Sequence, residues 1–243
     1  MTTLDTTIPD RPAGAASATR RSFTAGARAM VPWLAGVVPF GVTIGVTIAE
    51  STVDPLTGWA TGALIYAGSA QLIAVDLLDR DAAPFLVVAT VLIVNARLVV
   101  YSGAMTPHWH DTGRGFRALA AYLLIDPSYA VGADGYRRRA DRRAGHAHYL
   151  GCALVLWLAW QSAIGIGILA GSAVPDTSLL ALVVPFYLVA EVVRVADTAP
   201  AVTAAVVAAG AAVACVPLPF HSGTVVAIVC GVAAAAHVGR VRP

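Results

Sequence analysis

Long apolar segments alternate along the chain with short polar ones, and this pattern predicts a bundle of membrane-spanning helices. A helix needs about 20 predominantly apolar residues to cross the hydrocarbon core of a bilayer. Seven windows reach about that length, and the last is long enough for two spans separated by the proline pair at 217 and 219. We therefore predict an all-α fold of about eight spans, some of them discontinuous. The windows are 29–49, 55–75, 82–106, 118–136, 144–175, 177–196 and 198–239.

The arginine residues predict the orientation of these spans, because cytoplasmic segments next to spans are enriched in basic residues. The run at 137–143 is the richest in arginine, and arginines also precede the first window and follow the last. With eight spans, all three groups lie on the cytoplasmic side, together with both termini. The loop that contains Arg114 and Arg117 falls outside and does not fit the rule. Residues 1–23 are predicted to form a flexible polar cytoplasmic tail, and 24–243 a single transmembrane domain.

Composition supports a membrane protein and excludes several other classes. The chain is 58% hydrophobic and only 12% charged, and its mean hydropathy is +0.73, whereas soluble domains average roughly 25% charged residues. A net charge of +2 is too small to indicate a nucleic-acid partner. The sequence lacks the P-loop, GxSxG and HExxH motifs. We therefore expect no enzyme activity, no cofactor and no metal.

Ionisable residues within the windows are the strongest functional signal. At bilayer depth such a residue costs at least ~2.5–3.5 kcal/mol, so it usually faces a bundle interior or an aqueous cavity. Asn95 and Arg97 lie in the third window, and Tyr101 shares a helix face with Arg97. Asp126 lies in the fourth window directly before Pro127, which bends or breaks a helix. Two interpretations are open for Arg97 and Asp126: a solute path or gate, and a purely structural ion pair.

Three further segments are predicted to be discontinuous. Pro39 and Gly41 interrupt the first window, and Pro185 interrupts the sixth. In the second, the segment YAGSAQ at 66–71 supplies Gly68, Ser69 and Gln71. Broken spans present half-helix ends that attract carboxylates and cations, which suits a zwitterion. The alternative is simple proline kinks and close helix packing, which the GxxxG pairs Gly41/Gly45, Gly58/Gly62 and Gly167/Gly171 would favour.

A short internal repeat accompanies these segments. VVPF occurs at 37–40 and again at 183–186, in windows that are predicted to run in opposite directions. An inverted repeat would produce this arrangement. Four letters in a valine-rich chain are a weak basis, so no further prediction is built on them.

Four ordered motifs resemble the AzlC family, the large subunits of branched-chain amino acid permeases. They are AGVVPFGVTIG at 35–45, YAGSAQLIAV at 66–75, VNARLVVYSGAMTP at 94–107 and LLIDPSYAV at 123–131. The resemblance runs from about residue 24 to about 238. It implies a permease that exports valine, leucine, isoleucine and, at the edge of its range, methionine across the bacterial cell (inner) membrane. It also implies a small AzlD-like membrane subunit as partner.

The resemblance also implies which individual residues line the translocation path. The PFG segment of the family corresponds to Pro39, Phe40 and Gly41, its AGxxQ segment to 67–71, and its mid-span aspartate to Asp126. Its Asn-x-Arg segment corresponds to 95–97. In the family a histidine usually follows that arginine, whereas this chain has Leu98, so coupling to protons through that position is in doubt. Two further classes remain as alternatives: a non-transporting membrane scaffold or regulatory subunit, and a channel for another small solute.

Overall fold

The computed structural model describes residues 13–171, 198–215 and 222–241, together with six isolated positions between 186 and 196. The chain forms two compact units, Met1–Leu180 and Ala181–Pro243. In the described residues every regular element is an α-helix. The first unit contains α1 (Ala13–Glu50), α2 (Pro55–Ile65), α3 (Gly68–Asp79), α4 (Pro84–Val94), α5 (Arg97–Trp109), α6 (Arg114–Tyr122), α7 (Asp126–Arg137) and α8 (Arg142–Gly171), and the second contains α9 (Ala199–Ala214) and α10 (Ser222–Val241).

The two longest helices, α1 and α8, are each long and apolar enough to cross a membrane. A third crossing is obtained if α4 and α5, which meet at an angle of 49°, are counted as one bent span. The helix α1 begins within the segment predicted to be a polar tail, so 13–23 are helical. α9 is apolar but shorter, as is the apolar part of α10.

The helices α1 and α8 pack in parallel and form the core of the first unit. Gly26 lies against the backbone of His148 near the start of both helices, and Gly45 lies against Gly167 near their ends. A methyl group at any of these glycines would collide with the facing helix, because the backbones approach so closely. Parallel packing brings the arginines of the α1 start and the 137–143 run to one end of the unit, which we call the arginine-rich end.

The helices α2 and α3 form a V-shaped hairpin, hairpin A (55–79), that enters from the opposite end. The backbone N–H of Thr52, just before α2, donates to the Asp79 carboxylate at the end of α3 (2.6 Å). Both ends of the hairpin therefore lie together, and its tip is at Tyr66 and Ala67. The tip lies deep in the unit, because Gly68 packs against the ring of Phe40 in the middle of α1.

The helices α6 and α7 form a second hairpin, hairpin B (114–137), that enters from the arginine-rich end. Phe116 at its start and Tyr136 at its end both contact the ring of His146, with ring centroids 4.7 Å and 5.6 Å apart. Its tip is the break at 123–125. There the Ser128 hydroxyl accepts from the backbone N–H of Ile125 (2.9 Å) and lies 2.7 Å from the Leu123 carbonyl, to which it donates.

Two of the predicted spans, 55–75 and 118–136, are therefore hairpins that turn back within the unit, so the count of about eight spans is not confirmed. Hydropathy over a window measures length and apolarity, and both hairpins satisfy these criteria although the chain reverses at mid-window. Hairpin A also reverses the direction in which the third span crosses. Its end, at Asp111, forms an ion pair with Arg142 at the arginine-rich end (2.7 Å).

The predicted interruptions have different outcomes. The break at 66–71 is present, but the prediction of a discontinuity at Pro39 is wrong, because α1 is continuous from Ala13 to Glu50. A proline removes one backbone N–H, and packing along α8 holds the remaining turns in helical form. Pro185 lies outside the described residues, as does most of the second VVPF copy.

Candidate functional site

Three helix breaks converge at mid-depth of the first unit, and we call this place the junction. The hydroxyl of Tyr122, at the tip of hairpin B, donates to the Ala63 carbonyl in hairpin A (2.7 Å), and its ring lies 5.8 Å from that of Tyr66. The bend between α4 and α5 reaches the tip of hairpin B through Arg97 and Asp126. The amino-terminal ends of α3, α5 and α7 therefore all lie at the junction, where their dipoles favour negative charge.

The charged part of the junction is the ion pair between Arg97 and Asp126, in which both carboxylate oxygens of Asp126 have a partner. Arg97 Nη2 lies 3.0 Å from one Asp126 carboxylate oxygen, and the Tyr101 hydroxyl donates to the other oxygen at 2.9 Å. The Tyr101 ring stacks on Tyr129 with centroids 4.5 Å apart. The side chains of Arg97 and Asp126 are 44% and 26% exposed. The pair therefore reaches the surface of the unit among apolar side chains, where a charge is costly without a partner.

The uncharged part of the junction is centred on Gln71, which is completely buried. Its amide oxygen accepts from the indole N–H of Trp160 (3.2 Å), and its amide nitrogen donates to the Thr61 hydroxyl (3.1 Å). Thr61 in turn donates to the Gly58 carbonyl (2.6 Å). These bonds connect α8, α3 and α2, so Gln71 holds hairpin A against the core.

The structure thus brings the predicted path residues together in two groups. Arg97, Asp126 and Tyr101 form one, and Pro127 follows Asp126 as a buried residue of α7. Phe40, Gly68 and Gln71 form the other around Trp160. Within the described residues no hydrogen bond or ion pair joins the two groups. The remaining positions flank them: Asn95 directly follows α4, Ser69 is the second residue of α3, Gly41 packs on Ala163, and Pro39 is exposed on α1.

Four residues of the junction are missing from the sequence prediction. Ser128 carries a capping signal, since it follows Asp-Pro at a helix start. Tyr129 could have been inferred from its position three residues after Asp126 on the same helix face. Gln161 is a large polar side chain within an apolar window, which is an available signal. Tyr66 has φ of 39°, a left-handed conformation that is unusual for a bulky residue and that composition does not indicate.

Carboxylates at the two ends of the unit are structural rather than part of the junction. At the arginine-rich end, a hydrogen bond from Arg138 holds the pKa of Asp134 below its usual range. At the opposite end, hydrogen bonds from the backbone and side chain of Thr52 lower the pKa of Asp79. Both groups stay ionised near neutral pH and fasten chain segments close to the membrane surface.

The fold and the junction define a class, namely helical membrane proteins with discontinuous helices that meet around an ion pair within an apolar region. The chain matches the family model described as AzlC protein over residues 32–174, which is more than half of its length. It therefore belongs to the AzlC family, which is linked to membrane transport, and the predicted family is confirmed.

Two relatives support membrane location without naming an activity. Both are called uncharacterized membrane protein and come from Helicobacter pylori, strains J99 and 26695. Each is 31% identical to this chain, over 96 and 98 residues respectively. The matched region covers 40% of this chain and 42% of each relative, so the similarity spans less than half of those proteins. No solved structure matches the chain.

Proposed function

We propose that this protein is a secondary transporter that exports branched-chain and related hydrophobic amino acids across the bacterial inner membrane. The substrates are valine, leucine and isoleucine, with methionine at the edge of the range. Apolar pockets separate aliphatic side chains that differ by one methylene by only ~1–3 kcal/mol, so overlapping acceptance is expected. The protein acts as the transmembrane permease domain of a pair with a small AzlD-like membrane subunit.

The observation that carries this proposal is the inverted arrangement of the two hairpins around the junction. The first half consists of the crossing helix α1 and hairpin A, which enters from the end opposite to the arginine-rich end. The second half consists of the crossing segment α4–α5 and hairpin B, which enters from the arginine-rich end. Transporters with inverted repeats bind substrate at mid-depth between the repeats, on half-helix ends. The Arg97–Asp126 pair lies at that position.

The charged pair suggests how the path opens. In the closed state Arg97 and Asp126 neutralise each other, so neither is available to substrate. A substrate carboxylate can replace Asp126 on the guanidinium, which offers a planar set of donors. The substrate ammonium group, or a proton, then neutralises the Asp126 carboxylate. Because Leu98 replaces the histidine that is usual in the family, coupling to protons would require Asp126 or Glu191, or a different coupling mechanism.

Most of the arginines, with Arg80 as an exception, support a topology of six crossings and two hairpins, with both termini cytoplasmic. The first unit contributes α1, α4–α5 and α8, and by the hydropathy of the sequence the windows 177–196 and 198–239 are long enough for three more. In this arrangement Arg114 and Arg117 fall on the arginine-rich side, so the loop that the eight-span prediction leaves outside now follows the positive-inside rule.

Two apolar surfaces support a membrane partner. Residues on either side of the charged pair are exposed, among them Ile93 (75%) and Val99 (73%), so the pair needs cover from another polypeptide or from water. In the second unit, a groove of about 420 Å³ is lined by small residues including Ala204, Ala208 and Gly231. Small residues of this kind admit close packing of a transmembrane helix.

The test is efflux of radiolabelled valine from preloaded cells, with and without a co-expressed small subunit. Wild type is compared with Arg97→Lys and Asp126→Asn at matched membrane levels. Both substitutions should abolish efflux while the protein stays folded in the membrane. Efflux no faster than from empty cells in every arm, with both subunits present in the membrane, would refute valine export.

A second candidate function is a non-transporting scaffold, and the same ion pair favours it, because Arg97–Asp126 joins α5 to α7. In a scaffold the two substitutions should lower protein level and subunit assembly together. In a transporter they should separate activity from protein level. Ion flux without amino acid flux would instead indicate a channel.

A further inference from the structure

Unpaired buried polar atoms concentrate at the junction. Among the described residues, five buried side-chain atoms find no hydrogen-bond partner, and three of them belong to Tyr66 and Gln161 beside hairpin A. A fourth is the Asn95 oxygen at the α4–α5 bend. A buried polar group without a partner loses its hydration without compensation, so native proteins retain few of them without a functional reason.

Gln161 is the most informative of these residues, because both ends of its amide are unpaired. The residue is 5% exposed, and neither its oxygen nor its nitrogen has a partner in the described part of the chain. Trp59 of α2 donates to the Gln161 backbone carbonyl (3.1 Å), which fixes the position of α8 beside hairpin A. The unpaired side-chain amide therefore offers one acceptor and two donors at a fixed position.

The Gln161 amide packs directly against hairpin A at Gly62. A Cβ atom at Gly62 would lie 2.6 Å from the Gln161 amide oxygen and 3.2 Å from the Gln71 amide nitrogen. The side chains of Gln161 and Gln71 thus both pack against Gly62, and even a methyl group there would collide with the Gln161 amide and with Ile164 Cδ1 (2.7 Å), so a substrate can reach the Gln161 amide only if hairpin A moves. Gln71 is committed to Thr61 and Trp160, whereas Gln161 is not.

We propose that Gln161 is a substrate-binding residue that recognises the zwitterionic head group of an amino acid. This inference rests on the proposed transport function and names a subsite of it. The amide oxygen accepts from the substrate ammonium, and the amide nitrogen donates to the carboxylate on the adjacent carbon. Gln161 holds the head group while Arg97 and Asp126 are paired with each other, and the head group passes to Arg97 and Asp126 when that pair opens.

The tip of hairpin A moves to admit the substrate. Tyr66 holds the turn in a left-handed conformation, which is strained for a non-glycine residue, and its buried hydroxyl has no partner among the described residues. A strained turn with an unpaired hydroxyl is typical of an element that adopts two positions.

The variants that test this use the contrast between the two glutamines. Gln161→Met replaces an unpaired amide by an apolar side chain of similar length, so the apparent Tm of the purified full-length protein should stay equal or rise. Gln71→Met breaks two hydrogen bonds and should lower it. The matched pair separates loss of binding from loss of fold. Gln161→Glu is the second variant, because it keeps the acceptor and repels the carboxylate.

Binding is measured as the shift in Tm caused by L-valine, 3-methylbutanoate, which lacks the ammonium group, and 2-methylpropan-1-amine, which lacks the carboxylate. Wild type should be stabilised by valine alone. Gln161→Met and Gln161→Glu should lose that shift, and the half-saturating valine concentration for efflux should rise roughly tenfold to a hundredfold.

The possible outcomes separate this inference from the proposed function. Wild-type efflux of valine with unchanged half-saturation in Gln161→Met would overturn the role of Gln161 and leave the transporter standing. A Gln161→Met variant that unfolds more readily than Gln71→Met would show a structural role and overturn it as well. A wild type that neither binds nor exports valine would refute both proposals.

Discussion

The close crossing of α1 and α8 near Gly45 and Gly167 allows a sharp prediction, because two backbones meet there without side chains between them. A Cβ atom at Gly167 would lie 2.2 Å from the Val42 carbonyl oxygen and 2.8 Å from the Gly45 Cα. Ordinary contacts of a Cβ atom begin at 3.4 Å. Gly167→Ala therefore requires the helices to separate locally by about 1 Å, and backbone atoms cannot move aside as a flexible side chain can.

The expected cost follows from overpacking. Forcing extra carbon into a filled contact costs typically 1–3 kcal/mol, and the gain in helix propensity from glycine to alanine returns about 1 kcal/mol. Gly103→Ala is the matched control, since it lies within α5 and no atom comes within 4 Å of its Cβ position. The propensity gain is common to both variants, so Gly167→Ala should be less stable than Gly103→Ala by about 1–3 kcal/mol.

Equilibrium unfolding in detergent micelles, followed by circular dichroism, measures this difference. The comparison with Gly103→Ala removes general effects of adding a methyl group to a membrane helix. Equal stability of the two variants would refute the close α1–α8 contact, and with it the parallel packing on which the directions of both hairpins depend.

Three further predictions concern the junction and its surroundings. Tyr101→Phe removes the hydroxyl that donates to Asp126 and should slow efflux, whereas Arg97→Lys should abolish efflux. Efflux assays at matched membrane levels measure this difference. Pro39→Ala restores a backbone N–H inside the continuous helix α1 and should raise stability by roughly 1–3 kcal/mol in the same unfolding assay. The pKa of Asp79 is lowered in the folded state, so the stabilisation from its bond to Thr52 is present above roughly pH 4 and lost as pH falls further. The protection factor of the Thr52 amide against hydrogen exchange should fall in that acidic range, and Asp79→Asn should weaken this pH dependence.

Local features were predictable wherever a single segment carries the cause. The apolar windows locate the helices, because a chain this poor in charge cannot cover a water-facing surface. The glycine pairs indicate close helix contacts, and the structure confirms them at Gly45 and Gly167. Asp-Pro at 126–127 indicates a helix break, and the break is present. Pro39 carries the same local signal, but the packing of α1 against α8 outweighs it.

The sequence by itself determined that this is a helical membrane protein, which segments are apolar, and which ionisable residues must be sheltered from lipid. Only the tertiary structure decided that two windows reverse at Tyr66 and at 123–125 and that Gln161 faces the same space as Gln71. The physical reason is that hydropathy depends on composition alone, whereas the direction of a helix after a break depends on the surfaces it packs against. Those surfaces come from α1 and α8, which are distant in sequence and adjacent only in the folded chain.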